Sequence, residues 1–179
     1  MSHKEYVILV DEADNEIGRK EKMAAHWHGL LHRAFSIFLY RQKGDRFEIL
    51  LQQREKNKYH CAGLWANTCC SHPRHGETVI EAGKRRLAEE MGIFLETSLM
   101  DIGSFLYRVE FDNGLTEHEI DHVLVTTYDA DVIPFNPMEV EAVRWVSLAE
   151  IESELRDFPA HFTPWFAPAL ALVKEKPTP

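Results

Sequence analysis

Three cysteines in 179 residues are few, and Cys61, Cys69 and Cys70 fall within one short stretch. They are too local for a disulfide framework, and adjacent cysteines rarely bridge each other given the Cα geometry a disulfide requires. A reducing cytoplasm is the simplest setting. No segment approaches the ~20 apolar residues of a membrane span. The start, Met1 to Arg19, reads as a strand-like run between polar residues, not a signal peptide. No internal repeat, low-complexity tract or linker interrupts the chain, so one domain over residues 1–179 is expected, as a monomer. Basic runs are missing too, apart from Lys84-Arg85-Arg86. With 20 Lys and Arg against 29 Asp and Glu, the net charge is −9. Nucleic acid needs clustered cations, so it is excluded as a partner. The same balance counts mildly against any anionic ligand. What the chain does have is ordinary globular composition, 45% hydrophobic and 27% charged, and ten histidines. Histidine is the commonest metal ligand and a frequent proton shuttle.

Periodicity and turn signals predict strands, helix, strands, helices: an α+β fold with helices packed on a mixed sheet. Tyr6 to Val10 reads as an edge strand and Arg19 to His26 as a helix. His32 to Tyr40 is a buried strand that returns through Lys43-Gly44-Asp45 into Phe47 to Gln53. Asn57 to Pro73 lacks either period and reads as a functional loop. Glu77 to Glu90 is a helix with Ile80, Leu87 and Met91 on its apolar side, closed by Gly92. Ile102 to Phe111 and Glu119 to Tyr128 flank an Asp112-Asn113-Gly114 turn, and Val140 to Val146 is a further strand. Ser147 with Glu150 forms a capping box, and Thr163-Pro164 opens a last helix.

Several groups carry possible chemistry. Glu117 and Glu119, in a strand, point the same way, and two carboxylates on one face repel unless a cation or a shared proton intervenes. They are equally a solvated pair at a strand edge. His26, His32 and His72 with these two Glu make a five-ligand set for a borderline divalent ion. Taken singly, each His is an ordinary surface or core residue. Cys69 and Cys70 lack the spacing of a zinc site. They are either small buried apolar residues or include one thiol whose pKa is lowered by a metal or imidazolium. In the helix, Arg85 with Glu89 and Arg86 with Glu90 are ordinary i,i+4 pairs. Alternatively, one of those carboxylates holds a Mg²⁺ ion that bridges to ligand phosphates.

The helix Glu77 to Gly92 resembles the Nudix box, G-x5-E-x7-R-E-U-x-E-E-x-G-U with U aliphatic. Ser71 replaces its first Gly, and Arg86 its Glu after Arg. Asn67 to Pro73 (N-T-C-C-S-H-P), Gly29 to Ser36 (G-L-L-H-R-A-F-S), Glu117 to His122 (E-H-E-I-D-H) and Pro164-Trp165 resemble one branch of that superfamily, the type I isopentenyl-diphosphate isomerases. The likeness runs from about Tyr6 to Trp165, in the family's order. It implies a Nudix-like mixed β-sheet sandwich with flanking helices. It implies a 1,3-proton shift between isopentenyl and dimethylallyl diphosphate, a small-molecule isoprenoid diphosphate substrate.

By the same resemblance, His26, His32, His72, Glu117 and Glu119 match ligands of one divalent ion (Mn²⁺, Mg²⁺ or Zn²⁺), with His28 competing for the place of His26. Cys70 matches the catalytic cysteine, and Glu119 the acid/base. Tyr107 matches its supporting hydroxyl, and Trp165 the indole near the reacting carbon. Glu90 matches the ligand of Mg²⁺ held with the diphosphate, and Lys22, Arg54, Lys58 and Arg86 its basic partners. Two other functions stay open. The helix alone suits a Nudix pyrophosphohydrolase acting on a nucleoside diphosphate derivative. The His count alone suits a metal-binding or interaction domain without catalysis.

Overall fold

A computed structural model describes residues 3–176. Met1, Ser2 and residues 177–179, the two ends of the domain read from the sequence, lie outside the described residues. Among the described residues nine strands join in one mixed sheet. They are β1 (Tyr6–Val10), β2 (Glu16–Glu21), β3 (His32–Lys43), β4 (Arg46–Arg54), β5 (Trp65–Ala66), β6 (Cys69–Ser71), β7 (Met100–Glu110), β8 (Thr116–Thr127) and β9 (Val140–Ser147). The helices are α1 (Lys22–Trp27), α2 (Val79–Arg86), α3 (Leu148–Asp157) and α4 (Phe166–Glu175). None of them is long and apolar enough to cross a membrane.

Strand β3 organises the sheet. It pairs antiparallel with β4 and β6 and parallel with β8. Its side chains alternate between faces. Phe35, Ile37 and Leu39 face one core, with Leu50, Leu87, Met91 and Leu124. Phe38 faces a second core with Ile49, Val123, Phe162, Phe166 and Leu170, under α3 and α4. Both faces of the sheet are therefore covered, as a sandwich requires.

Several elements differ from the sequence reading. β1 is not an edge strand, because β2 pairs along its outer side. Arg19 to Glu21 belong to β2, where Arg19 faces Ile8 and Glu21 faces Tyr6. The helix starts only at Lys22, because the Glu21 carboxylate accepts from the Met23 and Ala24 amides at 3.1 and 2.9 Å. The Asn57 to Pro73 loop contains β5 and β6. Thr163-Pro164 is a turn before α4, which opens at Phe166. By contrast, the capping box at Ser147 and Glu150 forms as expected.

Helix α2 starts on a second capping box, Thr78 with Glu81. It runs on into a π-helical turn, Leu87–Met91, that ends at Gly92 with φ 65°. A Cβ at Gly92 would collide with the Pro134 carbonyl oxygen. Backbone conformation and space therefore both demand glycine there. Near the opposite edge, His122 on β8 sits between two carboxylates, Asp101 and Asp14, each 2.7 Å away. Arg33 holds Asp14 from the other side at 2.9 Å. Both ring nitrogens must donate, which favours imidazolium. Burial opposes the charge, but Asp101 and Asp14 prevail and raise the His122 pKa.

Two outcomes follow. Gly92→Ala is expected to lose about 2–4 kcal/mol in urea unfolding, combining left-handed strain with the Pro134 clash. For His122 the folded pKa is raised, so its contribution is complete below the unfolded value of about 6.5 and fades as pH rises through the folded value. His122→Gln should therefore lower stability by about 1–2 kcal/mol near pH 6, with the gap to wild type closing as pH rises through the folded value in thermal melts.

Candidate active site

The site occupies the polar end of the sheet face that becomes the second core further along. On β3 this face shows His32, Ala34 and Ser36, and on β8 Glu117, Glu119 and Asp121. The parallel register sets His32 beside Glu119 and Ala34 beside Asp121. β6 brings Cys70 opposite Ser36, and β7 brings Tyr107 opposite Glu119. Helix α1 adds His26, and the chain after β6 adds His72.

Two imidazoles are oriented by backbone carbonyls. His26 Nδ1 lies 2.7 Å from the Lys22 oxygen, and His32 Nδ1 lies 2.8 Å from the Leu30 oxygen. A carbonyl only accepts, so Nδ1 carries the hydrogen, and in the neutral ring Nε2 then presents a lone pair. Both Nε2 atoms are buried without a hydrogen bond. Glu119 Oε1 is 3.2 Å from His32 Nε2 and 3.0 Å from His72 Nε2. One ligand atom from each of His26, His32, His72 and Glu119 lies within 4.8 Å of the others. Converging lone pairs and a carboxylate in a dry site need a cation, and imidazole with carboxylate suits a borderline divalent ion. The residues present therefore fit a divalent metal centre.

Burial drives His26 down to about 4 and His72 down to about 3, the neutral form a metal ligand needs. At His32, by contrast, burial is outweighed by the Glu119 carboxylate, which raises the pKa, so a metal ion there must displace a proton. Burial also acts against the charge on Glu119, but the His32 and His72 rings beside it prevail and hold its carboxyl well below the usual range. Burial, and then the charge of Glu119, push Glu117 up.

Glu117 falls into an adjoining group, with His26 and His60. His60 Nε2 meets Glu117 Oε1 at close range. His28, the competitor of His26, is exposed at the end of α1 and belongs to neither group.

The thiol end is built around Asn67, which is fully buried. Its amide nitrogen donates to the Ile37 and Cys69 carbonyls at 3.1 and 3.0 Å, which fixes its orientation. Its oxygen then accepts from the Cys70 thiol at 3.0 Å and the Trp165 indole at 3.1 Å. The same indole N–H lies 3.1 Å from Cys70 Sγ. The Arg54 guanidinium lies over the Trp165 ring, 5.4 Å from its centroid. Burial, aided by the charge of Asp121, pushes the Cys70 thiol up. Among the protein's own groups, desolvation outweighs the nearby Arg54 charge. Cys69 is buried on the opposite face against Glu90, as a small core residue. Tyr107 is buried with an unpartnered hydroxyl, packed with Trp165 and Ala66.

A cavity of about 710 Å³ joins these parts. Lys22, Arg54, Lys58 and Arg86 all line it, together with Glu90, although they come from four separate segments. Glu90 is positioned by the π-helical turn. It accepts from Gln52 at 2.9 Å and Arg86 at 3.1 Å. Arg85 and Arg86 also make the i,i+4 pairs expected with Glu89 and Glu90. Glu90 belongs to neither His/Glu group among the described residues. Sequence reasoning missed two residues. Asn67 stood inside a recognised motif, but its bonds are tertiary. His60 stood in an aperiodic stretch with no local signal at all.

Comparison with known proteins identifies the family. Residues 30–166 match the NUDIX domain model. The chain is 52% identical over 170 residues to the isopentenyl-diphosphate Delta-isomerase of Photobacterium profundum, covering 95% of this chain and 94% of that protein. It is 49% identical over 165 residues to an isopentenyl-diphosphate Delta-isomerase of Aliivibrio fischeri, covering 90% and 91%. The crystal structure of DR0079 from Deinococcus radiodurans shares the fold, with TM-score 0.69 at 20% identity over 86% of this chain and 90% of that one. Identity at this level over nearly the full length settles the matter of descent: the chain belongs to the isopentenyl-diphosphate Delta-isomerase family, within the Nudix superfamily.

Proposed function

We propose that the chain interconverts isopentenyl and dimethylallyl diphosphate by protonating the alkene at its terminal carbon and removing a proton from C2. One proton enters and one leaves, so composition is unchanged. The observation that carries this reading is a single cavity whose lining includes Cys70, Glu119, Trp165, Lys22, Arg54, Lys58 and Arg86.

An unactivated alkene is a weak base, so its acid must be close and well aimed. Cys70 and Glu119 are the two groups suited to exchange protons with the substrate. Asn67 restrains the thiol, while His32 and His72 restrain the carboxylate. Tyr107, opposite Glu119 across the β7–β8 pair, supplies a hydroxyl free to support it. The transition state has tertiary carbocation character, which water would capture, so the reacting end needs apolar walls. Trp165 supplies such a wall, and its π system favours a cation by about 2 kcal/mol when desolvated.

The diphosphate acts as a handle whose binding energy orients the alkene. Arg54 and Arg86 offer forked donors, and Lys22 and Lys58 point charges. Glu90 is suited to hold a Mg²⁺ ion shared with the diphosphate. His26, His32, His72, Glu117 and Glu119 would hold one further divalent ion, which would neutralise the buried carboxylates and fix the geometry of Glu119.

Incubation of the protein with Mg²⁺, Mn²⁺ and isopentenyl diphosphate should yield the dimethylallyl isomer, detected by NMR, with no phosphate released from a nucleotide panel. Cys70→Ala and Glu119→Gln should each lower kcat by about 10²–10⁴-fold with smaller changes in KM. Wild-type turnover by both variants would overturn the assignment. Chelation of the protein should abolish turnover, and readdition of a divalent ion should restore it, with elemental analysis giving the stoichiometry in parallel.

A further inference from the structure

His60 sits between the two halves of the site, in the segment joining β4 and β5. Its ring is buried, stacked on Phe111 at 5.0 Å and edge-on to Trp165 at 6.0 Å. Arg54 Nη2 lies 3.3 Å from His60 Nδ1 and 3.3 Å from the His60 carbonyl oxygen. A guanidinium has no acceptor, so Nδ1 must accept. The hydrogen of the neutral ring is then on Nε2, which lies against Glu117 Oε1 and has no other partner. The other oxygen of Glu117, Oε2, is buried with no partner. One carboxylate oxygen is therefore taken by His60, and one is left for a cation.

We propose that His60 is a positioning residue that joins Arg54, on the diphosphate side, to Glu117, on the metal side. Its Nε2–H holds Glu117 Oε1 and leaves Oε2 for the divalent ion, and His60 is not itself a ligand. Its Nδ1 and carbonyl oxygen fix the same nitrogen of Arg54, so the guanidinium is aimed before substrate arrives. Ligating carboxylates commonly depend on such outer partners, whose loss weakens metal binding about 10–100-fold. The inference deepens the isomerase reading and rests on it.

Mn²⁺ alone, titrated into metal-free protein and followed by the EPR signal of the free ion, tests the metal side. His60→Leu should weaken Mn²⁺ binding by about 10–100-fold, while His60→Gln, which keeps an N–H of similar reach, should stay within about threefold of wild type. The Leu variant should also raise KM for isopentenyl diphosphate more than it lowers kcat, because Arg54 loses its anchor. Unchanged Mn²⁺ affinity in His60→Leu would overturn the proposal. A measurement on the wild type avoids any dependence on the variants folding. Long-range ¹H–¹⁵N spectra of the Zn²⁺-loaded protein should show His60 protonated at Nε2. A metal-bound Nε2, or a hydrogen on Nδ1, would overturn the proposal equally. Wild-type protein that binds Mn²⁺ but forms no dimethylallyl product would instead sink the isomerase reading, and the Mn²⁺ series would still decide the His60–Glu117 contact.

Discussion

Two carboxylates on one face of β8 set the terms for the rest of the site. Glu117 and Glu119 are both buried, so each must meet hydrogen-bond donors or a cation. The parallel register of β3 and β8 brings His32 to Glu119, and α1 and the chain after β6 bring His26 and His72. The segment after β4 brings His60 to Glu117. The remaining elements arrange the surroundings of this cluster. β6 hangs Cys70 from the far side of β3, and the π-helical turn at the end of α2 carries Glu90 to the cavity wall. Along the same sheet face the residues turn apolar, so the core that stabilises the sandwich begins where the chemistry ends.

The charge of the whole chain says little about its ligand. A net charge of −9 counts against an anion at the level of composition. Locally the count is different, since Lys22, Arg54, Lys58 and Arg86 all face one cavity. Among the acidic groups nearby, Glu117 and Glu119 are buried and directed at histidines. The field inside the cavity is set by where charges converge, and net charge governs mainly long-range encounters.

What could be read in the sequence was whatever depends on period and local chemistry. The alternation of β3 and β8, the capping box at Ser147 and the left-handed Gly92 all follow from neighbours within a few residues. Arg19 to Glu21 was misread as helix because its strand partners, Ile8 and Tyr6, lie in another segment. β5 and β6 are too short to show a period. The functional motifs gave Cys70, His72, Glu117 and Glu119, yet the direction of the Cys70 pKa depends on burial, which no motif encodes. His60 shows the same limit: its partners, Arg54 and Glu117, meet only in the folded chain.

The wall behind Cys70 is assembled from distant parts of the chain. Trp165 reaches Asn67 across 98 residues, and the Thr163 amide bonds to the Trp65 carbonyl at 2.9 Å. During synthesis every His and Glu of the cluster is made well before this indole. The thiol therefore gains its dry enclosure only when the C-terminal segment docks. A chain cut short of Trp165 would keep the His and Glu cluster in its sequence but leave the thiol open to water on one side.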